Sequence, residues 1–295
     1  MTPKEIDKLH KAGQIAVQVK AYAKSIVKKN VLLVEIADKI EDKIIELGGK
    51  LAFPVNLGIN EMTAHYTPMY NDDTKAEGLL KIDFGVHVDG FIADTAFSID
   101  LENKEENKKL IECAEHCVAN AIRAVEQNKT LGEIGEVIQK TAEKNNFSPI
   151  QNLSGHEIGQ YHLHEGITIP NYNNENQKNL NDGIYAIEPF VTTGQGLVYD
   201  GRLSGIYKVE RSVPIRDNNA REIFNYILEE YKTLPFCSRW LVKKFGPRAV
   251  LSLRLIEQAG ALHQYPQLIE QSRKPVAQAE HTLIIDNGKV KVITE

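Results

Sequence analysis

A helix-and-strand fold built from two related halves, the second interrupted by a helical unit, is predicted by three observations. The order helix, helix, strand segment, hairpin occurs twice along the 295 residues. Short stretches of the two passages match at similar offsets. Corresponding acids are 11 residues apart in the first passage (Asp83, Asp94) and 92 apart in the second (Glu188, Glu280).

Apolar residues recur at helical spacing over roughly 4–28, 34–47, 105–127 and 131–145. In the third stretch Leu110, Ala114, Cys117, Ala121 and Val125 keep one face apolar, and Thr130 with Glu133 forms a capping box at the start of the fourth. The segment "IDFGVHVDGFIADTAF", 82–97, reads as a hairpin around the two-residue turn Asp89-Gly90. That turn pairs Val88 with Phe91, Val86 with Ala93 and Gly85 with Asp94. Side chains alternate along a strand, so Asp83 and Asp94 become diagonal neighbours on one face, roughly 7–8 Å apart. Gly85 leaves room opposite Asp94. Two readings stay open here: a wet polar face carrying Asp83, Gly85, His87 and Asp94, or a shared cation. Two anions at about 7 Å repel by about 2 kcal/mol at an effective dielectric near ~20, which a buried site relieves with a cation.

The repeat is seen in "VEIADKIEDKIIELGG" against "GEIGEVIQKTAEKNN" at an offset of 98, and in His65 against His164 at 99. "EGLLKIDF" against "DGIYAIEP" at 105 sets Asp83 on Glu188, and "ADTAFSI" against "AEHTLII" at 186 sets Asp94 on Glu280. The second hairpin is therefore longer by 81 residues. A structureless loop of that length is implausible, and helical patterning near 219–232 and 247–260 marks about 195–275 as an inserted helical subdomain. Its Arg239, Lys243, Lys244, Arg248 and Arg254 read as a solvated face rather than a nucleic-acid surface.

A net charge of -5 gives no support to a nucleic-acid or anionic-membrane partner. No stretch has the apolar core of a signal peptide or the length of a membrane span, which makes the cytoplasm the expected compartment. Three cysteines make no disulfide framework; Cys113 and Cys117, four apart on a helix, read as buried reduced thiols.

If the two halves pack about a pseudo-twofold axis, four carboxylates meet in an apolar neighbourhood. Two divalent ions neutralise four negative charges, and "SGHEIGQYHLH" offers His156, His162 and His164 as a neutral ligand. An oxygen and nitrogen donor set suits manganese, iron, cobalt or zinc. A dinuclear centre points to hydrolysis of an amide or phosphoester. No arginine cluster or glycine-rich loop stands ready for a phosphate, so the amide is favoured, and no nucleophile elbow suggests covalent catalysis.

These residues, in this order and spacing, resemble the methionine aminopeptidases, specifically type 2 in its short archaeal form. The resemblance runs through "ELGGKLAFPVNLGINEMTAHYTP", "KIDFGVHVDGFIADTAF", "NLSGHEIGQYHLHEGITIPN", "YAIEPF", "TLPFCSRWL" and "AEHTLII". It implies an α/β pita-bread (creatinase/aminopeptidase) fold over 1–194 and 276–295, with 195–275 as an inserted helical, winged-helix-like subdomain. It implies five metal ligands, Asp83, Asp94, His156, Glu188 and Glu280, with Asp94 and Glu280 bridging two divalent ions. Glu188 is then also the proton shuttle, His164 polarises the scissile carbonyl, and His65 attends the departing nitrogen. Phe53, Leu163 and Phe190 are implied as the methionine pocket, and His87 as a structural histidine. The sequence departs from the family at Ala279 and Lys208, both bearing on the pocket's shape.

The activity so implied is removal of N-terminal methionine from nascent polypeptides before a small second residue. The expected state is a monomer, with the ribosome as a candidate partner and neither membrane nor specific nucleic acid. The chain's own Met1-Thr2 would be such a substrate. Two alternatives are proline-specific peptidases of the same fold, which place a separate domain first, and a binding protein that has lost its ligands.

Overall fold

A computed structural model describes residues 1–295. Helix α1 (Pro3–Ile26) starts at a capping box, Thr2 with Glu5, and has a proline in its first turn; it turns Leu9, Ile15, Ala16 and Val19 inward. After α2 (Leu33–Glu46) come the short strands β1 (Lys50–Leu51), β2 (Asn56–Ile59) and β3 (Met62–Ala64). The hairpin β4 (Leu79–Val88) and β5 (Phe91–Asp100) pairs along its whole length in the predicted register, Gly85 opposite Asp94 and Asp83 opposite Ala96. Both turn residues, Asp89 and Gly90, have positive φ (50° and 85°), as a type I′ turn requires. With β1 and β2 flanking β4, this sheet packs on α1 and α2 around Ile36, Ile40, Leu57, Ile82 and Phe84.

The second half repeats the plan. Helix α3 (Glu105–Glu126) and α4 (Leu131–Lys144) end within a residue of the expected bounds, and the Thr130–Glu133 capping box is present. Cys113 and Cys117 are buried and free. Strands β6 (Ser148–Pro149), β7 (Ser154–Ile158), β8 (Thr168–Pro170), β9 (Gly183–Ile187) and β10 (Phe190–Thr192) follow. The chain closes with β14 (Val276–Gln278), β15 (His281–Asp286) and β16 (Lys289–Val292). One sheet runs β16-β15-β9-β7-β8 and another β14-β10-β6. Leu110, Ala114, Ile134, Ile138, Tyr185 and Leu283 form the core against α3 and α4.

Between β10 and β14 lie β11 (Val198–Val209), α5 (Asn218–Glu230), β12 (Phe236–Cys237), α6 (Ser238–Phe245), α7 (Arg248–Gln258) and β13 (Leu262–Glu270). They enclose fourteen buried apolar residues, among them Ile223, Phe224, Phe236, Leu241 and Leu253. Their sheet, β12-β11-β13-β3, joins them to the first half through β3.

The basic residues of this region are not all on a solvated face. Arg239 is fully buried: its guanidinium is bidentate to Glu41 (2.7 Å twice), also reaches Asp38, and donates from Nε to the Pro68 carbonyl at 3.0 Å. Trp240 Nε1 shares Glu41 at 2.8 Å, and Lys243 pairs with Asp38 at 2.7 Å. The expectation fails at Arg239 because a planar fork with two carboxylates to receive it is buried without an unpaired charge. No helix is long and apolar enough to cross a membrane.

Candidate active site and metal centre

The two half-sheets meet along β5 and the β14–β15 segment, and the contact is made largely by hydroxyl groups. Thr282 Oγ1 accepts from Asp94 N (2.8 Å) and donates to Asp94 O (2.7 Å). Thr95 Oγ1 donates to Glu280 O, Glu280 N to Ala96 O, and Ser98 Oγ to Gln278 O. Backbones that carry Asp94 and Glu280 are thereby locked side by side.

Asp83 and Asp94 sit diagonally across the first hairpin, as its turn dictates. The other two acids differ. The register Ile187↔His281 on one side and Phe190↔Gln278 on the other puts Glu188 directly opposite Glu280. The ladder is interrupted there because Pro189 has no N–H and because Glu280 turns its own N–H to β5.

Asp94, His156 and Glu280 are buried, and their ligand atoms lie within 4.8 Å of one another. His156 Nε2 is 3.7 Å from Asp94 Oδ2 and 3.5 Å from Glu188 Oε1. Gln278, two residues before Glu280 and so on the same strand face, lies with Nε2 3.4 Å from Asp83 Oδ2 and 3.5 Å from Glu280 Oε2. Gln278 is not among the candidates the sequence suggests, although the i, i+2 spacing in "AQAE" carries the signal. Oδ1 of both Asp83 and Asp94 has no hydrogen-bond partner. Burial pushes Asp83 up to about 7. Burial, then the neighbouring carboxylates, holds Asp94, Glu188 and Glu280 well above the usual carboxylate range. Such a cluster is stable either protonated or filled by cations.

His156 Nδ1 faces the Glu157 carbonyl at 3.4 Å, which assigns its proton there and leaves Nε2 toward the acids. Burial, then the adjacent His164, lowers its pKa to about 3, so the ring is neutral at pH 7. The His164 ring lies edge-on to it, centroids 4.3 Å apart, and its own pKa falls to about 4 through desolvation in the cleft and the charge of His65. His65 adopts a positive φ of 59° and turns Nδ1 to the Pro266 carbonyl at 3.1 Å. His162 is exposed and does not line the cleft. His87 is buried, with Nδ1 accepting from Gly90 N at 3.0 Å; it braces the turn rather than the acids.

Asp83, Asp94, His156, Glu188, Glu280, His65 and His164 open on one cavity of about 370 Å³; His87, His162 and Gln278 do not. Phe53, Leu163 and Phe190 line it, as do Ile206, Pro235 and Tyr265 from the long insertion, which the sequence reading did not identify. The space Gly85 leaves is taken by Phe53: a Cβ at position 85 would come within 2.4 Å of its ring. Ala279 and Lys208 do not line the cavity. Lys208 Nζ lies 5.8 Å from the Tyr265 ring centroid and 3.6 Å from Glu210.

Residues 7–222 match the profile of metallopeptidase family M24. A methionine aminopeptidase of Pyrococcus abyssi is 45% identical over 296 residues, 99% of this chain and 100% of that one, the long insertion included. The chain belongs to the methionine aminopeptidases of family M24. As such it hydrolyses the bond that follows an N-terminal methionine. Solved structures agree on the fold. A thermophilic Arx1 superposes with a TM-score of 0.84 at 15% identity, covering 99% of this chain and 91% of that one. A methionine aminopeptidase from Thermotoga maritima gives 0.73 at 20% identity, covering 100% and 98%. The architecture is the mixed α/β pita-bread fold. Membership of a metallopeptidase family implies a metal, and the residues fit one: buried carboxylate oxygens without partners beside a neutral imidazole are a donor set awaiting a cation.

Proposed function

We propose that Asp83, Asp94, His156, Glu188 and Glu280 would together hold two divalent ions, with manganese, iron, cobalt and zinc all compatible with the donors. The observation that carries this is the convergence of four acids and His156, with an unpartnered oxygen on each aspartate. When bound, the ions supply Lewis acidity at the scissile carbonyl and a strongly acidified water. Glu188, half-buried and facing the cavity, takes the proton of the attacking water and passes it to the leaving amine. His164 donates to the developing oxyanion. His65, its Nδ1 committed to Pro266, offers Nε2 to the N–H of the second residue and holds the departing nitrogen.

Phe53, Leu163 and Phe190, which line the cavity, receive the methionine side chain, and a small second residue is preferred. In this reading 195–275 is an inserted, winged-helix-like subdomain on a pita-bread domain of 1–194 and 276–295; its separate apolar core supports that division. The substrate would be a nascent polypeptide in the cytoplasm, with the ribosome close by and the enzyme a monomer.

The test is release of free methionine from Met-Ala-Ser by chelator-stripped protein reloaded with manganese, beside a Leu-Pro peptide. Metal-dependent release from the first alone is expected. Cleavage of Leu-Pro alone would move the protein to the proline-specific peptidases.

A further inference from the structure

We propose that the substrate polypeptide beyond its second residue binds as an added β-strand along an open edge of β11, beside the mouth of the cavity. The proposal rests on the peptidase reading above.

Strand β11 runs for twelve residues, with β13 along one side from Val198 to Val209 and the register shifting after Asp200 and again after Leu203. The other side is covered toward its two ends, with Ser204 and Gly205 buried beside Ser238, and is open from about Tyr199 to Leu203. At the start, Gln151 N donates to Gly196 O at 2.9 Å, and the Asn152 side chain takes both backbone groups of Val198: Val198 N donates to Oδ1 at 2.9 Å and Nδ2 donates to Val198 O at 2.7 Å. At the far end β12 pairs at Ile206 and Tyr207 alone. Between them no strand lies on this edge, and alternation aims the N–H and C=O of Asp200 the same way as those of Val198.

The gap belongs to the cleft. Asn152 at its start and Ile206 at its end both line the cavity. The chain after Asn152 leaves β11, since Ser154 pairs with Pro170 instead. Leu203, 64% exposed, and Tyr199, 38% exposed, give the strand an apolar border. Asp200 and Arg202 add charges of the kind that keep an open edge from pairing with another copy.

The occupant follows from chemistry. A carboxamide is a peptide group in miniature, so Asn152 shows what this edge accepts: one N–H donor and one carbonyl. An extended polypeptide supplies the same pair again at every second residue. Main-chain pairing is also indifferent to side chains, which suits an enzyme whose substrates share only their first residue.

The experiment compares Met-Ala-Ser with a seven-residue peptide beginning with the same sequence, and with versions of it N-methylated singly at residues three to six, on the manganese-loaded protein. The seven-residue peptide should have a KM about tenfold lower, the worth of one or two main-chain hydrogen bonds, with kcat little changed. N-methylation should return KM to the tripeptide value at alternate positions only, because a strand turns every second N–H to its partner. A KM independent of length, or loss at every methylated position or at none, would overturn the proposal. Absence of methionine release from Met-Ala-Ser would instead overturn the peptidase reading beneath it.

Discussion

Replacing Arg239 by methionine should destabilise the protein and loosen its substrate cleft. The guanidinium is 1% exposed and faces Glu41, itself 5% exposed. Without it, Glu41 keeps Trp240 Nε1 at 2.8 Å and Val55 N at 3.3 Å but no cation. An unpaired buried carboxylate left by removing one partner costs about 3–5 kcal/mol. With a urea m-value of about 3 kcal/mol/M, the unfolding midpoint should fall by about 1–1.7 M. The chain's single tryptophan, Trp240, lies at the broken contact and reports the transition. Because Glu41 also holds Val55, two residues from Phe53, KM should rise more than kcat falls. The double variant Arg239→Met/Glu41→Gln should recover most of the stability, since no buried charge is then left alone. A midpoint shift below about 0.3 M for Arg239→Met, or no recovery in the double variant, would refute this account of the anchor.

Three further outcomes are expected. In metal-free protein the four acids bind more protons folded than unfolded between about pH 4 and the folded value of about 7 for Asp83, so their contribution is present at low pH and lost as pH rises through that window. The gap in thermal midpoint between manganese-loaded and chelator-treated protein should therefore widen from pH 5 to 7.5; a constant gap would contradict the buried-acid picture. Gly85→Ala drives a methyl into Phe53 and should raise KM while leaving metal content unchanged, measured by kinetics beside elemental analysis. Thr282→Val leaves Asp94 N buried without its acceptor, for a loss of about 1–3 kcal/mol and weaker metal binding by titration calorimetry, whereas Thr282→Ser should retain both.

The first hairpin was legible because a two-residue turn fixes register, and register fixes which acids share a face. Helix bounds followed from periodicity, and the long insertion from the unequal spacing of the acids. The Thr2–Glu5 capping box is written as plainly as Thr130–Glu133. What sequence withheld is contact between distant segments. Arg239 looks like its basic neighbours until Glu41, 198 residues away, is placed against it. The Phe53 ring against Gly85, and Ile206 and Tyr265 in one cavity with Phe190, likewise depend on strands brought together from different parts of the chain.

The register that sets Glu188 against Glu280 continues unbroken into β10 and β14, whose far ends lead out to the long insertion. Those two ends stay neighbours whatever is joined to them, so the hairpin behaves as a socket. An appendage joined there need not shift either glutamate, since the register is set on the near side of the joint. The acids, tied to β5 through hydroxyl and main-chain hydrogen bonds, thus border the insertion directly. The walls of the cleft, supplied from across that border, can change while the acids stay where they are.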